Sequence, residues 1–295
     1  MNIRLGDDIV AIDMHTHVLT SAWAPEPAAN ESAAEAAQAM ARYFKTDLNR
    51  PTVHDLAATY RELNMMCVTF SVDSSWATGE PNAVSNDEVL ELAAEYPATI
   101  IPFGTVDPHS GRRGAREVLR LAEQGMRGFK FHPSTQAFYA NDRDVYPIYE
   151  AIEQTGRIAL FHSGHTGAGA GRPGGGGVRL KFSNPLYADD VAADFPELRI
   201  VLAHPSFPWQ DEALSVALHK PYVYIDLSGW SPKYFPPNLV QYARTLLKKK
   251  MLFGTDYPVI TPQRWMTDFE KLGFDEDITR LIMLDNAAGL LGLTD

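Results

Sequence analysis

Short apolar runs rich in β-branched residues recur along the whole chain, and each run is continuous rather than alternating. Continuous apolar runs are typical of strands that are covered on both faces in a parallel sheet. The pattern predicts eight strands, at residues 10–14, 66–72, 99–106, 128–131, 158–161, 199–203, 222–227 and 251–255.

Segments with helical spacing of apolar residues lie between these runs. Examples are residues 87–96, 114–124, 145–154 and 239–249. Eight strands that alternate with helices in 295 residues predict one α/β domain, a (β/α)8 TIM barrel that spans residues 1–295. A doubly wound sheet would place a glycine-rich turn after the first strand, and no such turn is there.

Two segments break this alternation. Residues 18–50 are rich in Ala, Glu and Pro, and they predict a partly helical insertion after strand one, near the mouth of the barrel. Residues 164–177 are dense in glycine and read either as a loose connection or as a mobile lid. Their position after an apparent catalytic strand favours the lid. They lack the Gly-Lys-Ser/Thr ending of a phosphate-binding loop.

Charge and cysteine content narrow the classes of partner. The formal net charge is −11, so we expect neither nucleic acid nor an anionic membrane as a partner. The single cysteine, Cys67, excludes an internal disulfide and any multi-cysteine metal cluster. The N-terminus lacks the pattern of a signal peptide, and no apolar stretch approaches 18 residues, so we expect a cytoplasmic protein.

Polar residues gather where the predicted strands end, which is where barrel enzymes build their sites. Five of the 9 histidines follow this rule: His15, His17, His132, His162 and His204. Alternate residues of a strand point the same way, so the two histidines on strand one form half of a site for Zn²⁺ or a similar divalent ion. Closure of the barrel brings Asp256, on strand eight, next to them.

The motifs at these strand ends resemble the amidohydrolase superfamily. They are IDMHTH, GFKFHP, LFHSG, VLAHPS, YIDLSGW, LFGTDYP and DNAAGLLGL, and they extend from residue 12 to residue 293. More narrowly, the chain resembles the amidohydrolase-related branch, which includes aminocarboxymuconate semialdehyde decarboxylase. The set is specific for the superfamily and not for the reaction.

The resemblance implies a role for each matching residue. The implied metal ligands are His15, His17, His162 and Asp256. His204 and Asp256 are the implied catalytic residues, which transfer protons beside the metal. The favoured cofactor is one divalent ion, with Zn²⁺ ahead of Mn²⁺. The less favoured alternative is a two-metal site that is bridged by a carboxylated Lys130.

Two further polar residues leave alternatives open. Asp226 reads as a buried carboxylate that accepts backbone or histidine N–H bonds, with His204 as its expected histidine partner. His132 reads equally as a structural histidine and as a site residue.

Arg179, Lys181 and Trp230 are the candidate substrate-binding residues, because cations and aromatic rings around a metal suit a small organic acid. The leading hypothesis is a hydrolase in which metal-activated water attacks an ester, lactone or amide. The alternative is non-oxidative decarboxylation of an aromatic or muconate-type acid, and a binding barrel without activity is a rival of another class. From the resemblance alone we expect a homodimer.

Overall fold

Eight parallel strands pair in chain order, as the sequence predicts, in a computed structural model that describes residues 3–24, 31–45 and 50–293. The strands are β1 (Ala11–His17), β2 (Met65–Phe70), β3 (Ile100–Thr105), β4 (Gly128–Phe131), β5 (Ile158–His162), β6 (Arg199–Ala203), β7 (Val223–Asp226) and β8 (Met251–Leu252). All eight lie where the apolar runs predict them, with ends that differ by a few residues. The prediction of a TIM barrel is therefore confirmed.

The seam between the last strand and the first closes the barrel. Thr16 forms a parallel bridge with Tyr257, beyond the end of β8. The backbone N–H of Met14 donates to the carbonyl of Phe253 at 2.9 Å, and that of His17 donates to Tyr257 at 2.8 Å. The ends of β1 and β8 are thereby held side by side.

Helices cover the outside of the barrel. They are α1 (Glu31–Phe44), α2 (Val53–Glu62), α3 (Ser75–Thr78), α4 (Asn86–Glu95), α5 (Arg112–Gln124), α6 (Pro133–Gln136), α7 (Tyr146–Gln154), α8 (Leu186–Asp194), α9 (Gln210–His219), α10 (Pro237–Arg244), α11 (Pro262–Glu270), α12 (Glu276–Arg280) and α13 (Asn286–Leu291). Helix α10 is shorter than the predicted 239–249, because the backbone leaves the helical region at Thr245 (φ −124°, ψ −103°).

Apolar side chains form two layers around the strands. Ile12, Val68, Leu160 and Val201 are among those that fill the interior of the barrel, and an outer layer packs between the strands and the helices. This filling makes the barrel a packed core and leaves its carboxyl-end mouth for a site. Within the described ranges, no helix is both long and apolar enough to cross a membrane.

The two segments that interrupt the alternation lie between β1 and α2 and after β5. The first contains α1, although residues 25–30 and 46–49 lie outside the described part. The second contains the short 3-10 segment Pro173–Gly177, in which Gly174, Gly175 and Gly176 have φ near +60°. Only glycine adopts such a left-handed run without strain, which explains why glycine is dense here.

Candidate active site and metal centre

His15 and His17 lie at the carboxyl end of β1, and both side chains reach the mouth of the barrel. Ile12 and Met14 fill the interior before them, so a regular strand would turn both histidines outward. The pairing of β1 with β2 is irregular within residues 13–16. Such an irregularity changes the side on which the following side chains lie. It allows apolar packing and the two histidines to share one strand.

The carboxylate of Asp256 lies between the two histidines. Its Oδ1 is 3.0 Å from Nε2 of His17 and 3.3 Å from Nε2 of His15. Its backbone is left-handed (φ 66°), a conformation that costs about 1–3 kcal/mol. Its N–H donates to the carbonyl of His15 at 2.9 Å, so the barrel seam holds this conformation. Burial raises the pKa of Asp256, but the hydrogen bond with His17 and the electrostatic influence of His204, His17 and Lys130 lower it below its ordinary value.

Asp226, at the end of β7, orients the His15 ring by contacting Nδ1, the nitrogen on the other side of the ring from Nε2. Nδ1 of His15 is 2.6 Å from Oδ2 of Asp226, and the backbone N–H of Ser228 donates to the other carboxylate oxygen at 2.8 Å. Burial raises the pKa of Asp226 to about 8, while the Ser228 bonds and the charge of Lys130 oppose this rise. When ionised, Asp226 keeps the proton on Nδ1 and leaves the Nε2 lone pair free for a metal. The expectation of His204 as its partner is wrong, because His15 occupies that carboxylate.

His204 and His162 meet on the other side of the mouth. Nε2 of His204 is 3.0 Å from Nδ1 of His162, and Nδ1 of His204 is 2.9 Å from the hydroxyl of Ser228. A Cβ atom on Gly229 would stand 2.5 Å from Nδ1 of His204, so glycine is required there. Burial lowers the pKa of His204 to about 4 and lowers that of His162, so both rings are neutral near pH 7.

Lys130 lies on β4 between the two halves of the site and is completely buried. Its Nζ is 3.3 Å from Nε2 of His15 and 5.0 Å from the centroid of the Phe70 ring. Burial lowers the pKa of Lys130 to about 7, against the attraction of Asp256 and Asp226. The residue that the resemblance marks as a bridge between two metals therefore contacts an implied ligand of the first metal.

His132 packs against a proposed metal ligand. Its ring stacks on that of His162 with centroids 3.8 Å apart and planes 8° from parallel. Its Nδ1 accepts the backbone N–H of Thr135 at 3.4 Å, and its Nε2 is 3.3 Å from the hydroxyl of Thr166. This contact indicates that His132 orients His162.

The donor atoms in this mouth fit a divalent metal ion. Tetrahedral ligands at zinc distances are separated from one another by about 3.4 Å. The 3.0 Å and 3.3 Å separations of Asp256 Oδ1 from the two β1 histidines approach this value. One donor atom each of His15, His204 and Asp256 lies within 4.8 Å of the others. Among the described side chains, Nε2 of His162 is also a buried nitrogen without a hydrogen-bond partner.

A cavity of about 430 Å³ opens above these residues. Lys130, His162, His204 and Asp256 contribute to its lining, and so does Trp230, one of the predicted substrate-binding residues. Arg179 and Lys181 are not among the described residues that line it. Both are exposed, and Nζ of Lys181 lies over the Tyr139 ring, 5.4 Å from its centroid. The chain after the glycine-rich segment therefore carries these two cations away from the cavity.

The sequence matches the family model described as Amidohydrolase over residues 12–293, nearly the whole chain. The chain belongs to the amidohydrolase family. No protein of curated function matches it.

Solved structures share the amidohydrolase fold at low identity. An uncharacterized TIM-barrel protein from Bordetella bronchiseptica has 22% identity and a TM-score of 0.75, with 96% of this chain and 98% of that chain covered. A probable 2-pyrone-4,6-dicarboxylic acid hydrolase from Acinetobacter baumannii has 17% identity and a TM-score of 0.60, with 96% of this chain and 100% of that chain covered. A dihydroxybenzoic acid decarboxylase from Polaromonas sp. JS666, with bound manganese, has 16% identity and a TM-score of 0.65, with 97% of each chain covered.

Several residues that line the cavity of this amidohydrolase were not predicted from the sequence. They are Met40, Tyr43 and Phe44 on α1, His165 in the glycine-rich segment, and Arg264 on α11. The hydroxyl of Tyr43 is 2.8 Å from Nε2 of His165, which ties the insertion to that segment. For Arg264 there was a signal, since it follows the LFGTDYP motif, in the segment after the carboxyl end of the last strand.

Proposed function

We propose that this amidohydrolase is a metal-dependent hydrolase that acts on an ester, lactone or amide bond of a small organic compound bearing a carboxylate. The observation that carries the proposal is the position of Asp256. Its carboxylate contacts two imidazoles at the base of a cavity large enough for such a substrate. A base beside a metal site is the arrangement that water activation requires.

His15, His17, His162 and Asp256 would hold one divalent ion, Zn²⁺ or Mn²⁺. A mixed set of imidazole and carboxylate donors suits both ions. When bound, the ion would lower the pKa of a water molecule toward neutrality and polarise the substrate carbonyl.

The protein's own groups would transfer the proton, stabilise charge and orient the substrate. The carboxylate of Asp256 takes the proton from the attacking water and returns it to the leaving group. His204, held by Ser228 at 2.9 Å, faces the same space and stabilises charge that develops on the substrate oxygen. The ring of Trp230 forms part of the wall that orients the substrate and excludes bulk water.

A panel of small carboxylate-bearing lactones, esters and amides, assayed with metal-loaded protein, tests this proposal. We expect metal-dependent turnover of at least one class, with no release of carbon dioxide. His204→Ala and Asp256→Ala should each lower turnover by at least about 100-fold. Release of one carbon dioxide per turnover would contradict the hydrolase.

Non-oxidative decarboxylation is the second candidate, and Lys130 favours it. A buried ammonium beside His15 is placed to bind a carboxylate at the reacting end of a substrate. Solved neighbours with the same fold include a decarboxylase with bound manganese. Aromatic and muconate-type acids in the same panel, with detection of carbon dioxide, distinguish the two reactions.

A further inference from the structure

Arg264 is a permanent cation in the wall of the cavity. It lies on α11, which follows the loop after Asp256, and its side chain is exposed. Within the described ranges, its guanidinium has no hydrogen bond or ion pair with the protein. By contrast, the Arg120 guanidinium contacts Glu117 and Asp87 at 2.6 Å and 2.9 Å. Arg264 therefore has all its donors available to a ligand.

Arg264 lies in the first turn of its helix, where a positively charged side chain does not stabilise the helix. Thr261 caps α11 and accepts the N–H of Arg264, which makes Arg264 the third residue of the helix. Threonine or serine caps α2 and α4 in the same way, and there the third residue is acidic, Asp55 or Glu88. Acidic residues are favoured there because the first turn of a helix carries partial positive charge. An arginine at this point adds to that charge and strengthens attraction for an anion.

The cavity places its cations at two ends. Lys130 is completely buried at the floor beside His15, whereas Arg264 is exposed at the mouth. The ring of Trp230 and apolar side chains such as Val259 line the space that they share. On a chain with a net charge of −11, an anion needs such local positive charge to approach.

We propose that Arg264 binds a substrate carboxylate that is remote from the reacting bond. The substrate class is then a small acid that reacts at the floor of the cavity and is anchored by a second anionic group at its mouth. The guanidinium fork matches the two oxygens of a carboxylate, which a lysine cannot match. This inference rests on the proposed function only for the chemistry at the reacting end.

Binding of isophthalate to metal-loaded protein, followed by calorimetry, tests the proposal without any turnover. Arg264→Gln should weaken isophthalate binding about tenfold, and Arg264→Lys should weaken it less. Neutral isophthalamide should bind to wild type and to Arg264→Gln alike, which shows that the pocket persists. Arg112→Gln is the matched control, because Arg112 is also exposed in the first turn of a helix but lies outside the cavity.

Unchanged isophthalate binding in Arg264→Gln would overturn the assignment, and so would an equal loss of isophthalate and isophthalamide. Failure of the proposed function has a different signature. In that case, no metal-dependent hydrolysis occurs in the substrate panel, while the charge-specific loss of binding in Arg264→Gln remains.

Discussion

Oδ2 of Asp226 lies 2.6 Å from Nδ1 of His15, and both side chains are completely buried. Asp226→Asn keeps the shape of this pair and removes the negative charge that Asp226 carries when it is ionised. We expect the affinity for Zn²⁺ to fall about 10- to 100-fold, because a neutral amide no longer increases the basicity of the imidazole. Competition of metal-free protein with a chromophoric chelator measures the change.

Asp87→Asn is the control for this substitution. Asp87 lies on the exposed side of α4 and pairs with Arg120, away from the site. Its replacement should leave the affinity for Zn²⁺ unchanged. If Asp226→Asn also binds Zn²⁺ like wild type, Asp226 does not support His15 as a ligand.

Gly254 leaves room for Asp226, since a Cβ atom there would stand 2.1 Å from Oδ1 of Asp226. Gly254→Ala should lower the free energy of unfolding by about 1–3 kcal/mol, because the carboxylate or the strand must shift. By contrast, a Cβ atom on Gly289, in α13, would have no other atom within 4 Å. Gly289→Ala should raise the free energy of unfolding by about 0.5–1 kcal/mol.

Urea denaturation of the two alanine variants measures both effects. A Gly254→Ala protein with the stability of wild type would show that the space beside Asp226 is not tightly filled.

Cys67 should be chemically silent in the folded protein. It is completely buried in β2, and burial raises the pKa of its thiol to about 12. The thiolate is the reactive form, so a disulfide reagent at pH 8 should label Cys67 only after the protein unfolds. Rapid, stoichiometric labelling of native protein would contradict this position of the thiol.

We expect the protein to associate as a homodimer through the exposed rings near the barrel mouth. Tyr234 is 63% exposed and Phe207 is 46% exposed, and the Phe207 ring lies 5.6 Å from that of Trp230. Sedimentation velocity should give the mass of two chains for wild type, and Tyr234→Glu should shift the equilibrium toward one. A single-chain mass for wild type would refute the prediction.

The strand pattern was readable from the sequence because each barrel strand is buried on both faces. Runs such as those that became β4 and β6 have no polar interruption, and the parallel order follows from their alternation with helices. The gathering of His15, His17 and Asp256 was also predictable, because closure of a barrel brings its first and last strands together.

The partners of these residues were less predictable, because they depend on local irregularity. The register shift between β1 and β2 determines the direction of the His15 and His17 side chains, and the hydrophobic periodicity of the sequence does not predict this shift. Likewise, Asp226 forms its hydrogen bond with His15, while His204 contacts Ser228 instead. Which ring nitrogen lies within hydrogen-bond distance of Asp226 depends on how the side chains pack. Residues such as Met40 and Phe44 come from the insertion between β1 and α2, where the sequence pattern carries little information about the direction of the side chains.

The central claim is that His15, His17, His162 and Asp256 hold one divalent metal ion. Elemental analysis of protein expressed with added zinc and manganese tests it most directly, without knowledge of the substrate. We predict about one equivalent of metal for each wild-type chain, and less than about a tenth of that in a folded His15→Ala, His17→Ala double variant. Wild-type protein without stoichiometric metal, or a double variant that retains it, would contradict the account.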